Sequence, residues 1–288
     1  MLVFGADGQL GSEMLVVGGS SLDLSNFHQE DIQLVGLNRA DCDISNEAEV
    51  RSLVSLESPN IIINCAAMTD VDLCETNPEK AFSVNGYGPR FIAQASALVG
   101  AHLTHISTDY VFDGLSSRPY NEWDLPSPIN SYGLSKLVGE RQLDASSTIV
   151  RTSWLCSARG RNIVRTVLGL IEDKTTELKF VNDQIGSPSF AQDIAPLVWN
   201  LSLRRARGIY HVTNQGETTW FDFVRQILIE MGQDPERVKP ITTPELQPAR
   251  PALRPRYSVL ENFSLKKLNI GLAPNWTDGL RRLLSHLS

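Results

Sequence analysis

Short apolar runs recur along the chain at Leu2–Phe4, Gln33–Leu37, Asn60–Cys65, His102–Ser107, Ser147–Arg151, Leu178–Val181 and Gly208–Val212. They are largely apolar rather than strictly alternating, which marks strands buried on both faces. Several are separated by stretches of helical period, the clearest being Glu79–Val99, with Ala81, Phe82, Phe91, Ile92, Ala95 and Leu98 at helical spacing. Strands alternating with helices predict an α/β fold built on a doubly wound parallel sheet with right-handed crossovers. The pattern changes beyond about residue 215, where Pro235, Pro240, Pro244, Pro248, Pro251 and Pro255 break any long element. Two helical patterns, Thr219–Met231 and Thr277–Leu287, flank that region. No Gly/Ser linker divides the chain, so the reading is a smaller α/β substrate-binding lobe interwoven with the first unit. The predicted division gives residues 1–152, about 176–182 and 191–213 to the sheet unit, and about 153–175, 183–190 and 214–288 to the lobe.

Composition adds exclusions. The formal charge is -7 over 288 residues, whereas a general nucleic-acid surface needs a basic excess. No stretch approaches the roughly 18 apolar residues of a membrane span. The four cysteines (Cys42, Cys65, Cys74, Cys156) show neither CxxC nor metal-type spacing, so no metal is expected and a reduced, cytoplasmic setting is the plain reading.

Three motifs carry candidate chemistry. Gly5-Ala6-Asp7-Gly8-Gln9-Leu10-Gly11 follows the opening strand, where glycines let backbone approach a pyrophosphate seated on a helix N-terminus. The second strand should end near Leu37, followed by Asn38-Arg39 with no carboxylate until Asp41, a pattern that leans toward NADPH, with NADH as the alternative. Residues Gly18–Glu30 read as an insertion with no assigned role. Tyr132 and Lys136 stand one helical turn apart, and Thr108 ends the fourth run. A lysine cation beside a phenol lowers its pKa from about 10, so Tyr132 can serve as an acid–base group while Thr108 holds a carbonyl oxygen. His102 and His105 lie in or beside a strand and read as packed rather than catalytic. Asn85 falls inside a helix and reads as serving backbone or a relay water.

The runs GADGQLG (5–11), STDYVFDG (107–114), YGLSKLVGE (132–140), RTSWL (151–155), VNDQIGSP (181–188) and RPRYSVL (254–260) resemble the extended short-chain dehydrogenase/reductase superfamily and, within it, the dTDP-4-dehydrorhamnose reductases. That resemblance implies a Rossmann-type sheet and NAD(P)H-dependent reduction of a dTDP-linked 4-keto-6-deoxyhexose, the last step of activated rhamnose synthesis. It implies that Gly5, Gly8, Gln9, Leu10 and Gly11 take the pyrophosphate, Asn38 and Arg39 the ribose, and Asp43 and Ile44 the adenine. Ala66, Ala67 and Thr69 would line the cofactor, with Val71 and Asp72 starting the helix beside the sugar. Tyr132 would donate the proton, Lys136 would hold the nicotinamide ribose and tune Tyr132, and Thr108 would orient the ketone. Asp109, Trp154, Gln184 and Arg254 would face the sugar, Trp154 as an indole wall. The chain departs from the group at Met68 and at Cys156-Ser157. Relatives that dimerise through carboxylate-bound magnesium find Gln192 and an acid-free tail, Arg281–Ser288, here, so a monomer or weak homodimer is expected. The alternatives are a reductase or epimerase of another nucleotide sugar, and a non-catalytic subunit resembling the beta subunit of methionine adenosyltransferase.

Overall fold

Six of the seven apolar runs line up side by side in a computed structural model, which describes residues 1–19, 32–173 and 177–287. The strands are β1 (Leu2–Phe4), β2 (Val35–Leu37), β3 (Ile61–Asn64), β4 (His102–Thr108), β5 (Thr148–Thr152) and β10 (Gly208–His211). Their order is β10-β5-β4-β3-β1-β2, and every neighbouring pair is parallel. Most of the Gly18–Glu30 insertion lies outside the described residues.

The period of two along the strands divides the core. Val3, Ile61, Ile63 and Val150 face α1 (Gln9–Gly19) and α8 (Ala191–Leu203), packing on Leu10, Met14, Ile194, Val198 and Trp199. Leu2, Phe4, Ile62 and Leu103 point the other way, onto Val50 and Val54 of α2 (Glu47–Glu57) and Ile92 and Ala95 of α5 (Gly88–Val99). Runs that are apolar throughout are what a sheet covered on both faces requires.

The stretch Glu79–Val99, expected as one helix, is broken. After α3 (Val71–Thr76) and α4 (Pro78–Ala81) the chain forms one π-helical segment, Phe82–Tyr87, before α5 begins. Pro89 supplies the reason, because it has no N–H to give the carbonyl of Asn85 four residues earlier. That freed carbonyl faces Gly139 of α6 (Ser131–Glu140), where any Cβ would collide with it; Gly133 stands the same way against the Tyr110 carbonyl. Helix α6 therefore sits unusually close to the layer beneath. Asn130 caps it through the Gly133 N–H at 2.8 Å. At its other end the carboxylate of Glu140 takes two hydrogen bonds from Arg151 of β5, at 2.9 and 2.6 Å, with both side chains buried.

A second core gathers around Val164, Val167 and Ile171 of α7 (Ile163–Ile171), Phe223, Val224 and Ile227 of α9 (Trp220–Glu230), and Leu280, Leu283 and Leu284 of α11 (Trp276–Leu287). Three two-stranded pairings accompany it: β6 (Leu155–Cys156) with β9 (Ser189–Phe190), β7 (Leu178–Val181) with β12 (Val238–Ile241), and β8 (Ile185–Gly186) with β11 (Thr218–Thr219). The run Leu178–Val181, expected in the sheet unit, thus joins β12 instead. Its burial differs from the sheet strands, because Leu178 and Val181 are buried while Lys179 is exposed. A short α10 (Phe263–Leu268) lies against β10.

The Glu140–Arg151 pair is a buried charge pair whose separated partners would be left uncompensated. Glu140→Ala is expected to lower unfolding stability by about 3–5 kcal/mol, read from urea denaturation. A loss below about 1 kcal/mol would show that solvent reaches the pair.

Candidate active site

The carboxyl ends of the parallel strands bring the candidate residues together, as expected for an open α/β sheet. β1 runs into Gly5, whose φ of 74° is the left-handed conformation glycine adopts without penalty. A Cβ on Gly5 would come within 2.6 Å of the Ala66 nitrogen, and one on Gly11 would strike the Gly5 carbonyl. The turn so formed opens a cavity of about 330 Å³ between β1, β2 and β3. Gly5, Gly8, Asn38, Arg39, Asp43, Ile44, Ala66 and Ala67 line it, eight of the residues expected around the cofactor. Gln9 instead reaches the lobe, donating to the Leu155 carbonyl at 3.3 Å and accepting from Asn162 at 3.0 Å. Leu10 is buried in the core, which leaves only its backbone for a ligand, and Thr69 lies outside the cavity lining.

At the ribose end Arg39 is exposed and paired with Asp43 at 3.0 Å. Asp41, four residues past the end of β2 by sequence, folds back to accept from the Asn38 N–H at 2.8 Å. The carboxylate that sequence spacing placed beyond reach is therefore at the strand end.

β4 ends at Thr108, and α6 lies above it. The Thr108 hydroxyl is within hydrogen-bonding reach of the Tyr132 phenol and donates to Asp109 at 3.0 Å. Tyr110 meets the Tyr132 ring edge-on with centroids 5.6 Å apart. Burial raises the Tyr132 pKa above its ordinary value. The anticipated lowering by Lys136 is not realised in this arrangement, for a geometric reason. Lys136 turns away to donate to the Ile106 carbonyl at 2.6 Å, and its ammonium is not among the groups acting on the phenol. Lys136 is itself buried, which lowers its pKa to about 8.

Asp109 is buried, and its Oδ2 is one of the buried polar atoms with no hydrogen-bond partner. Burial pushes its pKa up to about 7, against opposing hydrogen bonds from Ser258 and Thr108. Trp154 has a φ of 43° and stacks on Trp220 with centroids 3.5 Å apart and planes 5° from parallel. Gly186 also closes on the indole: a Cβ there would lie 2.5 Å from Cε2 and 2.6 Å from Nε1. With Trp220 stacked on one face and Gly186 this close, the indole offers an edge rather than the broad wall expected. Gln184 donates to Thr243 at 2.9 Å. The Arg254 guanidinium is engaged twice by Asp72, at 2.5 and 2.7 Å, so it ties the lobe to α3 before it meets any ligand. Arg250 and the Ala252 N–H converge on the same carboxylate.

Asn85 clamps the backbone of Met68, accepting from its N–H at 2.8 Å and donating to its carbonyl at 2.9 Å. It also donates to Ser135 of α6 at 3.1 Å. Sequence reasoning missed Trp220, Asn64 and the contact of His105 with Lys136. Trp220 follows the cap residue Thr219, which donates no information about a partner 66 residues earlier; only the His-Ile-Ser-Thr register, one strand position before Ile106, hinted at His105.

A parallel sheet with a glycine turn at its first strand, and a Tyr–Lys helix over a threonine at its fourth, defines a short-chain dehydrogenase/reductase of the extended kind. The chain belongs to the family described as RmlD substrate binding domain, whose model matches residues 1–288. It is 40% identical over 288 residues to a dTDP-4-dehydrorhamnose reductase of Streptomyces griseus, covering 97% of this chain and 91% of that one. A crystal structure of a dTDP-4-dehydrorhamnose reductase from Clostridium acetobutylicum superposes with a TM-score of 0.91 at 36% identity, covering 99% and 98% of the two chains. That of the Bacillus anthracis dTDP-4-dehydrorhamnose reductase in complex with NADP gives 0.89 at 36% identity, with the same coverage.

The Asp109 carboxyl yields a stability prediction whose sign can be worked out. Its folded pKa, about 7, lies above the ordinary 3.8, so the folded protein holds the proton over that window while the unfolded chain releases it. The contribution is fully present below pH 3.8 and is lost as pH rises through 7, at about 1.4 kcal/mol per unit. Asp109→Asn is expected to remove this slope and to gain stability relative to wild type between pH 5 and pH 8. Parallel stability–pH curves for the two proteins would refute the buried carboxyl.

Proposed function

We propose that this chain reduces the 4-keto group of dTDP-4-dehydro-L-rhamnose to give dTDP-L-rhamnose, with NADPH as the reductant. The observation that carries it is the meeting of Thr108 and Tyr132 at the carboxyl end of β4, on the same sheet edge as the glycine turn that follows β1 two strands away. That turn fits a dinucleotide. Its glycines let the loop fold tightly onto Ala66 and onto its own backbone, where any Cβ would collide, and the N-terminus of α1, whose first N–H groups have no partner within the helix, suits an anion. Gly5, Gly8 and the backbone of Gln9, Leu10 and Gly11 hold the pyrophosphate, Asn38 and Arg39 the ribose, and Asp43 with Ile44 the adenine. Ala66 and Ala67 line the cofactor, with Thr69 just beyond the cavity, and Lys136 holds the nicotinamide ribose.

When bound, the reduced nicotinamide supplies a hydride to the carbonyl carbon. Tyr132, kept protonated by its buried setting, gives its phenolic proton to the carbonyl oxygen. Thr108 is the second hydroxyl at that oxygen and fixes its position. Asp109 and the edge of Trp154 face the sugar, and Gln184 and Arg254 shape the pocket through Thr243 and Asp72.

Arg39 supports the preference for NADPH. Its pairing with Asp43 is exposed and therefore weak, so a 2′-phosphate dianion displaces it readily. A cytoplasmic monomer or weak homodimer remains our reading. No helix among the described residues is long and apolar enough to cross a membrane.

Purified protein given the dTDP-4-keto-6-deoxyhexose is expected to oxidise NADPH, followed by the loss of nicotinamide absorbance. Tyr132→Phe is expected to lose roughly 10²–10⁴-fold in kcat while still binding cofactor. Binding without turnover in the wild type would favour the non-catalytic subunit, and turnover only with another nucleotide sugar would reassign the substrate. Arg39→Ala should weaken NADPH binding roughly 10- to 100-fold and leave NADH nearly unchanged. Equal losses for both cofactors would place the 2′-phosphate elsewhere.

A further inference from the structure

Behind the Tyr132–Lys136 face lies a chain of hydrogen bonds whose direction can be deduced. The Ala66 N–H donates to Asn64 Oδ1 at 3.0 Å, which fixes the orientation of that amide. Asn64 Nδ2 therefore faces His105 Nδ1, 3.1 Å away, and donates to it. A ring that accepts at Nδ1 and is neutral must carry its proton on Nε2. His105 is fully buried, and both burial and the neighbouring Lys136 charge hold its pKa well below 6.5, so the neutral form is the populated one. Its Nε2 lies 3.4 Å from Lys136 Nζ.

An N–H directed at that nitrogen meets a lone pair on the neutral amine and only hydrogens on the ammonium. The opposite arrangement, with Lys136 donating to Nε2, needs the proton on Nδ1 and a reversed Asn64 amide. The Asn64 NH2 would then face the Ala66 N–H, two donors with no acceptor between them. We propose that His105, oriented by Asn64, is a positioning residue that presents its Nε2–H to Lys136 and weakens the hold of that nitrogen on its proton. The other titratable groups facing Lys136 are Glu140 on its own helix, Cys65 after β3 and Cys74 on α3. The Glu140 charge is shared with Arg151, and burial raises the pKa of each thiol, keeping it neutral. His105 is thus an uncharged donor in direct contact, opposing the pull of Glu140 and of the Ile106 carbonyl that accepts from Lys136. Because Ala66 lines the cofactor cavity, the same chain joins the cofactor seat to the charge on Lys136. The inference rests on the proposed role of Lys136 at the cofactor's ribose for its catalytic meaning, although its geometry stands without turnover.

The test uses the full chain with ¹⁵N-labelled histidine, His105 being assigned by its loss in His105→Gln. The expected spectrum is the neutral Nε2–H tautomer throughout the pH range in which the protein stays folded. An Nδ1–H tautomer or a protonated ring at neutral pH would overturn the proposal. In ¹³C-lysine-labelled protein, Lys136 should titrate near pH 8, and His105→Leu should raise that midpoint by about one unit or more. His105→Gln, whose amide can accept from Asn64 and donate to Lys136, should stay close to wild type. Should His105→Leu fail to fold, His105→Met, which has no N–H to direct at Lys136 and adds no charge, is expected to raise the midpoint as well. An unchanged or lowered midpoint in the folded variants sinks the idea. The alkaline limb of the kcat–pH profile should move upward with the midpoint. If reductase turnover is absent while the tautomer and titration shifts hold, the catalytic reading fails and the His105 inference survives.

Discussion

The close seating of α6 on the sheet is the constraint on which the site depends. Tyr132 and Lys136 are useful only if the helix that carries them comes near enough to β4 for a phenol to reach Thr108 and an amine to reach the Ile106 carbonyl. Two glycines on that helix, Gly133 and Gly139, remove the bulk that would hold it off. Pro89 leaves the Asn85 carbonyl facing outward at the point of contact, and the Glu140–Arg151 pair fastens the far end to β5. A fully desolvated ion pair adds little net stability over apolar packing, but its two parallel hydrogen bonds admit few alternative geometries. Its contribution is register rather than affinity, and catalytic placement is a matter of register.

Low dielectric surroundings then govern the chemistry. Burial raises the Tyr132 and Asp109 pKa values and lowers those of Lys136 and His105. Each shift is toward the neutral form, most completely for Tyr132 and His105. Under the proposed function, a protonated phenol is the form of Tyr132 that a reduction consumes.

Much of this was legible in the sequence, because it followed from period and spacing. The runs buried on both faces became parallel strands; Gly5 lines a cavity after β1, and Thr108 and Tyr132 meet at the end of β4, at the strand ends and helix where their spacing put them. Pattern alone could not name partners. Leu178–Val181 is as apolar as a sheet strand at its ends, yet its neighbour is β12, a segment about 60 residues later. The expected helix Glu79–Val99 ignored Pro89, whose missing donor is visible in the sequence but whose effect depends on what lies across from Asn85. The effect of Lys136 on Tyr132 was misjudged because an i, i+4 spacing fixes which face two residues share, not the direction a long side chain takes. Trp154 was read as a wall for lack of any sign that Trp220 and Gly186 would close on it.

The order β10-β5-β4-β3-β1-β2 also bears on how the chain assembles as it is made. After β1 and β2 form the first pair, β3 joins the free edge of β1, and β4, β5 and β10 each join the edge left open by the sheet strand before. No strand has to be inserted between two already paired, so the sheet can grow by accretion in the direction of synthesis. Arg151 arrives on β5 after Glu140 has left the ribosome, which makes the buried pair a local event, closed across 11 residues. The ties from Asp72 to Arg250 and Arg254 span 178 and 182 residues and come last. The nascent protein thus completes its parallel sheet before the segment carrying Arg250 and Arg254 exists.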